Sequence, residues 1–558
     1  MLIKASEILN GNLLQALDSA IENGELPPTQ VSDAAIERPQ NTHHGDFASS
    51  LPLKLAREMK MSPMAIGKIL SKYIPQQGII GESQLAPPGF VNLRLDSKWL
   101  LSQIHQIRDL KNSFGNLYVE EKKKIQIEYV SANPTGRLHI AHARGAVIGS
   151  ALAKLLKAAG HTVEEEYYLN DAGNQIDKFN KSLLTRYKQI AGLEIDLPED
   201  AYPGEDIIDV AKSVWDDEGD RYLRLDEDEA EESIGTKGIP KMIDGIKEDL
   251  ESLRIKFDEW FSETSLYTQG EFETCMQLLN DKGFTTDRDG ATWLESTKLG
   301  EDKDNVLIRT SGTPTYFASD IAYHYNKFDQ RNFTEVIDVW GADHQGQIGR
   351  LRSALDALGI DSKKLKIIVV QMVRFKKGET SEKLSKRKGN VIPLIDLVNE
   401  IGADACRFLF LSRSNESQLE FDLDLAKKQS SENPVYYVQY GHARICSILR
   451  LAKERDIEFS DGDVSILGDP TELSLINKML ELPDVIETSV ENLEAHHLPY
   501  YSMELATAFH TFYQNCRVVS SKKSDLPTTK ARLLLVDAAR LVLGRCLNLM
   551  SMTAPDEM

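Results

Sequence analysis

The stretch whose reading decides the fold is KIQIEYVSANPTGRLHIAHARGAVIGSALAKLLKAAGHTVEEEYYL, residues 124–169. Its opening, KIQIEYVS (Lys124–Ser131), predicts a strand. Val147, Ile148, Ala151, Leu152, Leu155 and Leu156 then recur at helical spacing, and Gly160 is placed to end that helix. HTVEEEYYL (His161–Leu169) predicts the next strand. Strand, crossover helix, strand is the unit of a doubly wound parallel sheet. Between the first strand and the helix lie a Pro-Thr-Gly loop and two histidines, His139 and His142.

Three readings of that histidine pair are open. A zinc site needs further ligands, and neither an HExxH motif nor a cysteine cluster stands nearby. A purely structural pair is the second reading. The third is an anion cradle: a helix N-terminus presents free N–H groups and the positive end of its dipole, and imidazole N–H donors extend it. Gly136 would let the loop turn tightly, and Gly145 and Gly149 would allow close approach along the helix. A second loop strengthens the third reading. GETSEKLSKRKGNVIP (Gly378–Pro393) follows another apolar strand, with Lys383 and Lys386 flanking Ser385 between Gly378 and Gly389. Cations that close over phosphate as charge builds favour the transition state.

Around these loops the 558 residues divide into three regions. Residues 1–115 mix helices with short strands and include PPGFVNLRL, a turn followed by a strand alternating at Phe90, Asn92 and Arg94. Residues 116–428 carry the α/β pattern, interrupted by an acidic insertion at about 172–260. It resumes with VIDVWGAD (Val336–Asp343), a helix to Leu358, and KLKIIVVQMV (Lys364–Val373). Residues 429–558 lose strand signals. Leu482, Val485, Ile486, Leu493, Leu505, Phe509, Phe512, Leu535, Ala539, Val542 and Cys546 follow helical spacing there and predict a separate bundle.

Composition narrows the class. The chain begins with an amphipathic helix rather than a leader, and no window approaches the roughly 20 apolar residues that span a bilayer. Five scattered cysteines form no Cys-x-x-Cys pair, which suits a reducing cytoplasm. The formal charge of −21 argues against a nucleic-acid partner unless basic groups cluster locally. Asp216–Glu232 is densely acidic, whereas Lys122–Lys124, Lys383–Lys388 and Lys522–Lys523 are basic.

HIAH and KLSKR resemble the two signatures of class I aminoacyl-tRNA synthetases, usually written HIGH and KMSKS. EYVSANPTGRLHIAHARGA, YYLNDAGNQI, FDEWFSETSLY, TYFASDIAYH, WGADHQG and YYVQYGHAR resemble the bacterial type of arginyl-tRNA synthetase, in that family's order. HGDFAS, PPGFVN and SMTAPDEM extend the resemblance to both ends. It implies a Rossmann-like catalytic domain with an insertion, an N-terminal α+β domain and a C-terminal all-α bundle. It also implies activation of L-arginine with ATP and transfer to the 3′-terminal ribose of tRNA(Arg), with activation itself needing tRNA. Mg2+ would arrive with ATP, with no structural metal. A cytoplasmic monomer without membrane contact is expected.

The same resemblance implies site residues. His139, His142, Lys383 and Lys386 would be catalytic, the histidines on the ATP phosphates and the lysines on the departing pyrophosphate. Pro134, Thr135, Gly136, Ala141 and Ser385 would also meet ATP, with Gly341, Asp343 and His344 at its ribose or adenine. Glu128 and Asp320 would read the planar, permanently charged guanidinium in a fork geometry. Tyr316, four before Asp320, would share its helix face. Asn133 would hold the α-amino or carboxylate end, with Ser131, His142 and Gln345 close by. Tyr437, Tyr440, His442 and Arg444 would meet the anticodon stem and loop, and Phe90 and Asn92 a splayed base of the tRNA elbow. Three positions depart from the family: Ala141 stands where glycine is usual, Arg137 where proline is frequent, and Leu384 where methionine is usual. Another class I synthetase, a small HxGH nucleotidyltransferase and a non-catalytic tRNA-binding paralogue are the competing readings. Acylation of total tRNA with each amino acid separates them.

Overall fold

The computed structural model describes residues 4–39, 41–375 and 392–558. At the N-terminus, α1 (Ala5–Glu22), β1 (Ile36–Glu37), β2 (Phe47–Ser49), α2 (Leu51–Met59), α3 (Pro63–Tyr73), β3 (Ile80–Ala86) and β4 (Phe90–Leu95) follow in order. Their four strands pair antiparallel as β1-β2-β4-β3. Because β4 is an interior strand, its burial does not alternate: Val91, Asn92 and Leu93 are all buried. Next comes α4 (Ser97–Leu110), which falls inside the expected N-terminal region. It packs instead on the helices Pro470–Met479 and Leu526–Leu549, with Arg108 Nε 2.8 Å from Asp537.

The central sheet is parallel throughout. Strands β5 (Lys124–Glu128), β6 (Thr162–Leu169), β7 (Glu259–Ser262), β11 (Glu335–Gly341) and β12 (Leu365–Val370) lie in the order β12-β11-β5-β6-β7. Chain order runs one way from β5 and the other way from β11. The switch point therefore lies between these two strands, and ligands of open α/β sheets bind in the crevice at its carboxyl end. Helix α5 (Ile140–Ala158) crosses from β5 to β6, and Gly160, in the left-handed region, turns the chain after it. The expected strand over 124–131 ends at Glu128, because Val130 (φ 72°) and Ser131 (φ 42°) turn into the left-handed region.

The insertion is helical: α6 (Asn174–Ile190), α7 (Glu205–Glu218) and α8 (Glu227–Ser252) enclose their own core around Phe179, Leu183, Val214 and Ile234. It stops short of residue 260, since Glu259 already opens β7 at the sheet edge. A second addition follows that periodicity does not announce. It comprises α9 (Glu263–Thr268), α10 (Glu271–Asp281) and an antiparallel sheet of β8 (Thr285–Arg288), β9 (Ala291–Leu294) and β10 (Asn305–Ile308). Strands of four residues are too short to carry a readable alternation. Helices α11 (Tyr316–Tyr325) and α12 (Ile348–Leu358) flank β11, while β13 (Val373–Phe375) pairs with β14 (Leu419–Phe421).

Five long helices make up the C-terminal region: Pro434–Glu454, Pro470–Met479, Leu482–Glu491, His497–Asn515 and Leu526–Leu549. Leu493 falls outside them, in a left-handed turn at φ 54°. The bundle is not separate, because one apolar core runs from Leu9 through α5 to Met552. Fully buried Arg407 ties it down, donating to the carbonyls of Met550 and Leu253 and to Ser150 Oγ. All five cysteines are buried and unpaired. Among the described residues no helix is long and apolar enough to cross a membrane.

Candidate active site

The histidine pair caps α5. His139 is the N-cap residue, and its Nδ1 accepts the N–H of Ala141 at 3.3 Å. His142 Nδ1 accepts the N–H of His139 at 3.3 Å, and the two rings lie 3.9 Å apart. With Nδ1 of each ring used as an acceptor, the ring proton of the neutral form sits on Nε2. Burial lowers the pKa of His139. Burial and the neighbouring ring lower that of His142 to about 4. At neutral pH the helix end therefore offers two uncharged N–H donors beside its positive dipole.

The glycines of this segment serve the fold more than a ligand. Gly136 has no left-handed backbone, but a Cβ there would stand 3.1 Å from Asp206 Oδ2. A Cβ on Gly149 would overlap the Tyr129 ring at 2.3 Å, whereas Gly145 faces only Val339 at 3.9 Å. Pro134 is buried and shapes the loop, Thr135 is half-buried, and Ala141 is exposed on the first turn of α5.

Lys383, Ser385 and Lys386 lie outside the described residues. The chain that follows them is joined to the histidine loop: Ile140 donates its N–H to Ile392 O at 3.0 Å, and Leu394 donates to Leu138 O at 2.9 Å. The chain that precedes them is held by fully buried Arg144, which donates to Gln371 O at 2.9 Å, Ser417 O at 2.7 Å and Ser414 O at 2.9 Å. Across the switch point, exposed Gly341 ends β11. Asp343, His344 and Gln345 follow on an exposed 3-10 turn, with His344 Nε2 3.5 Å from Asp343.

The arginine-reading end differs from expectation. Glu128 is already occupied: fully buried Lys327 donates to its Oε2 at 2.6 Å and Ser131 Oγ to its Oε1 at 2.8 Å. Lys327 also reaches Asp338 at 3.0 Å, and His324 Nε2 reaches the same carboxylate at 2.8 Å. Both Glu128 oxygens thus already have donors, and the Ser131 hydroxyl is committed to the turn, where it also accepts the N–H of Tyr168. Asn133 donates its amide N–H to Gln175, leaving Oδ1 as its acceptor.

Two carboxylates without an ion pair among the described residues lie elsewhere. Burial pushes the Asp320 pKa up to about 7. Its neighbours His324 and Arg350 pull the other way, and Glu128 and Glu263 add to the rise. Glu263, at the start of α9, is 4% exposed, and burial raises its pKa too. Its partners are neutral donors, Ser319, Tyr168 and Tyr267. Glu263, Tyr267, Tyr316 and Ser319 line one end of a cavity of about 1150 Å3. Tyr316 and Asp320 share the accessible face of α11, as their spacing predicts. Glu263 lies in the FSETSLY segment without any local feature to distinguish it from its acidic neighbours. Only the fold places it beside Asp320.

The residues expected to meet tRNA separate into two groups. Tyr437, Tyr440 and Arg444 are half-buried on one face of the helix Pro434–Glu454. The Tyr437 and His510 ring centroids lie 5.0 Å apart, and the Arg444 guanidinium sits 5.2 Å over Tyr440. His442 is buried on the other side, its Nδ1 2.9 Å from Pro555 O, and is a ligand of the C-terminal tail rather than of a base. Phe90 is half-buried and Asn92 is closed within β4.

Comparison with known proteins follows the same division. Residues 8–95 match the family described as arginyl tRNA synthetase N terminal domain, 103–427 tRNA synthetases class I (R), catalytic domain, and 438–558 DALR anticodon binding domain. The chain is 49% identical to the arginine–tRNA ligase of Dehalococcoides mccartyi, over 100% of both chains. It is 43% identical to that of Carboxydothermus hydrogenoformans, over 97% of each. The Thermus thermophilus arginyl-tRNA synthetase structure superposes with a TM-score of 0.75 at 21% identity, covering 99% of this chain and 100% of that one, which speaks to the fold.

Proposed function

Because this chain belongs to the family of class I arginyl-tRNA synthetases, we propose that Asp320 and Glu263 hold the guanidinium of arginine while His139 and His142 hold the phosphates of ATP. The reaction itself is the ATP-dependent joining of L-arginine to tRNA(Arg), with release of AMP and pyrophosphate. What supports the residue assignment is a buried carboxylate, Glu263, and a half-buried one, Asp320, neither in an ion pair among the described residues. They lie on elements that flank the same parallel sheet as two neutral imidazole donors.

The chemistry needs no protein nucleophile. The arginine carboxylate attacks the α-phosphorus, and pyrophosphate departs with the bridging electron pair. A hydroxyl of the terminal ribose then attacks the adenylate carbonyl and releases AMP. The protein supplies position and charge compensation. Asn133 Oδ1 accepts from the α-ammonium, and the exposed turn Gly341–Gln345 takes the nucleoside. Lys383 and Lys386 complete the phosphate site. What supports this is the pairing of Ile392 and Leu394 with Ile140 and Leu138 beside His139. Mg2+ enters as part of the ATP substrate, since imidazoles are not the oxygen ligands that ion selects.

We further assign the Tyr437–Tyr440–Arg444 face to unpaired anticodon bases and residues 1–115 to the tRNA elbow, in a cytoplasmic monomer. Acylation of total tRNA with each amino acid tests the reaction, and arginine alone is expected to be charged. Lysine lacks the fork and citrulline the charge, so both should be rejected strongly. Charging with lysine comparable to arginine sinks the Asp320–Glu263 assignment.

A further inference from the structure

We propose that the helical insertion is a clamp on the histidine loop, with Arg137 as a positioning residue for ATP. The proposal rests on the reading of His139 and His142 given above. Arg137 directly precedes Leu138 and the N-cap His139, beside a phosphate site, where a cation would ordinarily be taken for a phosphate ligand. Its nitrogens are committed elsewhere. The guanidinium makes a fork with Asp249 of α8, Nε at 2.9 Å and Nη2 at 2.7 Å, and Nη1 lies 3.4 Å from Glu248.

The clamp also takes the backbone. Asp249 has no exposed surface and accepts the N–H of Leu138 at 3.0 Å, while Asp206 of α7 accepts the N–H of Arg137 at 2.8 Å. Two acidic residues from two helices of the insertion thus hold two consecutive peptide units immediately before His139. On its other side Leu138 accepts the N–H of Leu394, so the loop is gripped from the insertion and from the chain beyond the lysines.

Helix α8 is shaped for this contact. A Cβ on Gly245 would stand 2.8 Å from Arg137 Cδ and 2.9 Å from Nη1, so glycine there makes the hollow in which the side chain lies. Mid-helix glycine is unfavourable relative to alanine, and the hollow is the compensating gain. The fork fixes the direction in which the two Nε2–H donors point, so losing it should slow the ATP step without touching the arginine end.

Gly245→Ala is the decisive variant, because it displaces Arg137 while removing no charge and raising helix propensity. Pyrophosphate exchange with tRNA present should show kcat/KM for ATP reduced roughly 10- to 100-fold. The KM for arginine should be unchanged and the melting temperature should not fall. Arg137→Ala should match it in ATP kinetics, with a lowered melting temperature because it strands buried Asp249, and Arg137→Lys, which keeps one contact to Asp249, should recover part of the loss. Wild-type ATP kinetics in both Gly245→Ala and Arg137→Ala overturn the clamp, as does a parallel loss for both substrates with a lowered melting temperature. His139→Ala is the control. If it too leaves ATP kinetics intact, the histidine reading has failed and the clamp with it. If it alone impairs them, only the clamp has failed.

Discussion

Lys327 Nζ lies 2.6 Å from Glu128 Oε2 with no exposed surface, an internal cation holding the carboxylate that sequence reasoning reserved for the substrate. The same nitrogen bonds Asp338, so one lysine serves two buried carboxylates. Burial disfavours its charge, yet the attraction of Asp338 and Glu128 outweighs this and raises its pKa.

Removing that cation strands two buried charges. Lys327→Met should lower the unfolding free energy by about 3–5 kcal/mol, the usual cost of breaking a buried pair from one side. Urea unfolding measures it, and a loss below about 1 kcal/mol contradicts the pairing.

Asp320 and Glu263 should carry arginine affinity. Asp320→Asn is expected to weaken arginine binding by about 2–5 kcal/mol, the range for truncating one side of a buried charged pair. The KM for ATP should change little. Glu263→Gln should act in the same direction, and an unchanged arginine KM in both variants removes the assignment.

The elevated Asp320 pKa has a sign that can be checked. Its folded value of about 7 lies above the unfolded value of about 3.9. Between those values the folded chain holds the extra proton, so this group's contribution to stability falls as pH rises through the window. Arginine needs the ionised form. Its KM should therefore rise as pH drops below about 7, and thermal stabilisation by arginine should be larger at alkaline pH. Asp320→Asn should abolish both trends.

The histidines should behave oppositely. With His142 held down at about 4, no imidazolium forms in the free site near neutrality. The kcat/KM for ATP should therefore lack an acid limb between about pH 6 and 8, where an ordinary histidine titrates. His142→Ala removes a phosphate donor and the acceptor for the His139 N–H, and a loss of about 10²–10³ in activation rate is expected. An acid limb near the ordinary imidazole value in kcat/KM for ATP contradicts the neutral pair.

The C-terminal tail should be a structural strap. Thr553 donates to Asp404, Pro555 O bonds His442 and Glu557 pairs with Arg450. Ending the chain after Met552 also removes the bonds of Gln439 to Thr553 and of Arg450 to Asp556 O, and should cost at least about 3 kcal/mol, at roughly 1 for each hydrogen bond lost. Thermal unfolding of the truncated chain measures it.

Much was legible along the chain because it is local. Helix periodicity over 140–158, the left-handed exit at Gly160 and the strand at 162–169 depend on neighbours a few residues away. The chemistry of the histidine loop was legible for the same reason, since its residues lie within one turn of a helix N-terminus. Four-residue strands at 285–308 and an edge strand at 259–262 were not, because nothing within so few residues sets their period.

What the sequence determined by itself is the class of fold, the placing of two histidines at a helix N-terminus and the family resemblance that names the substrates. Which carboxylates are left without an ion pair was decided only by the tertiary structure. Glu128 and Asp320 read alike as acidic residues in matching segments. Packing paired Glu128 with a lysine 199 positions away and left Asp320 and Glu263 with no ion pair among the described residues. Charge recognition depends on what remains unpaired after folding, and that is a property of three-dimensional neighbours.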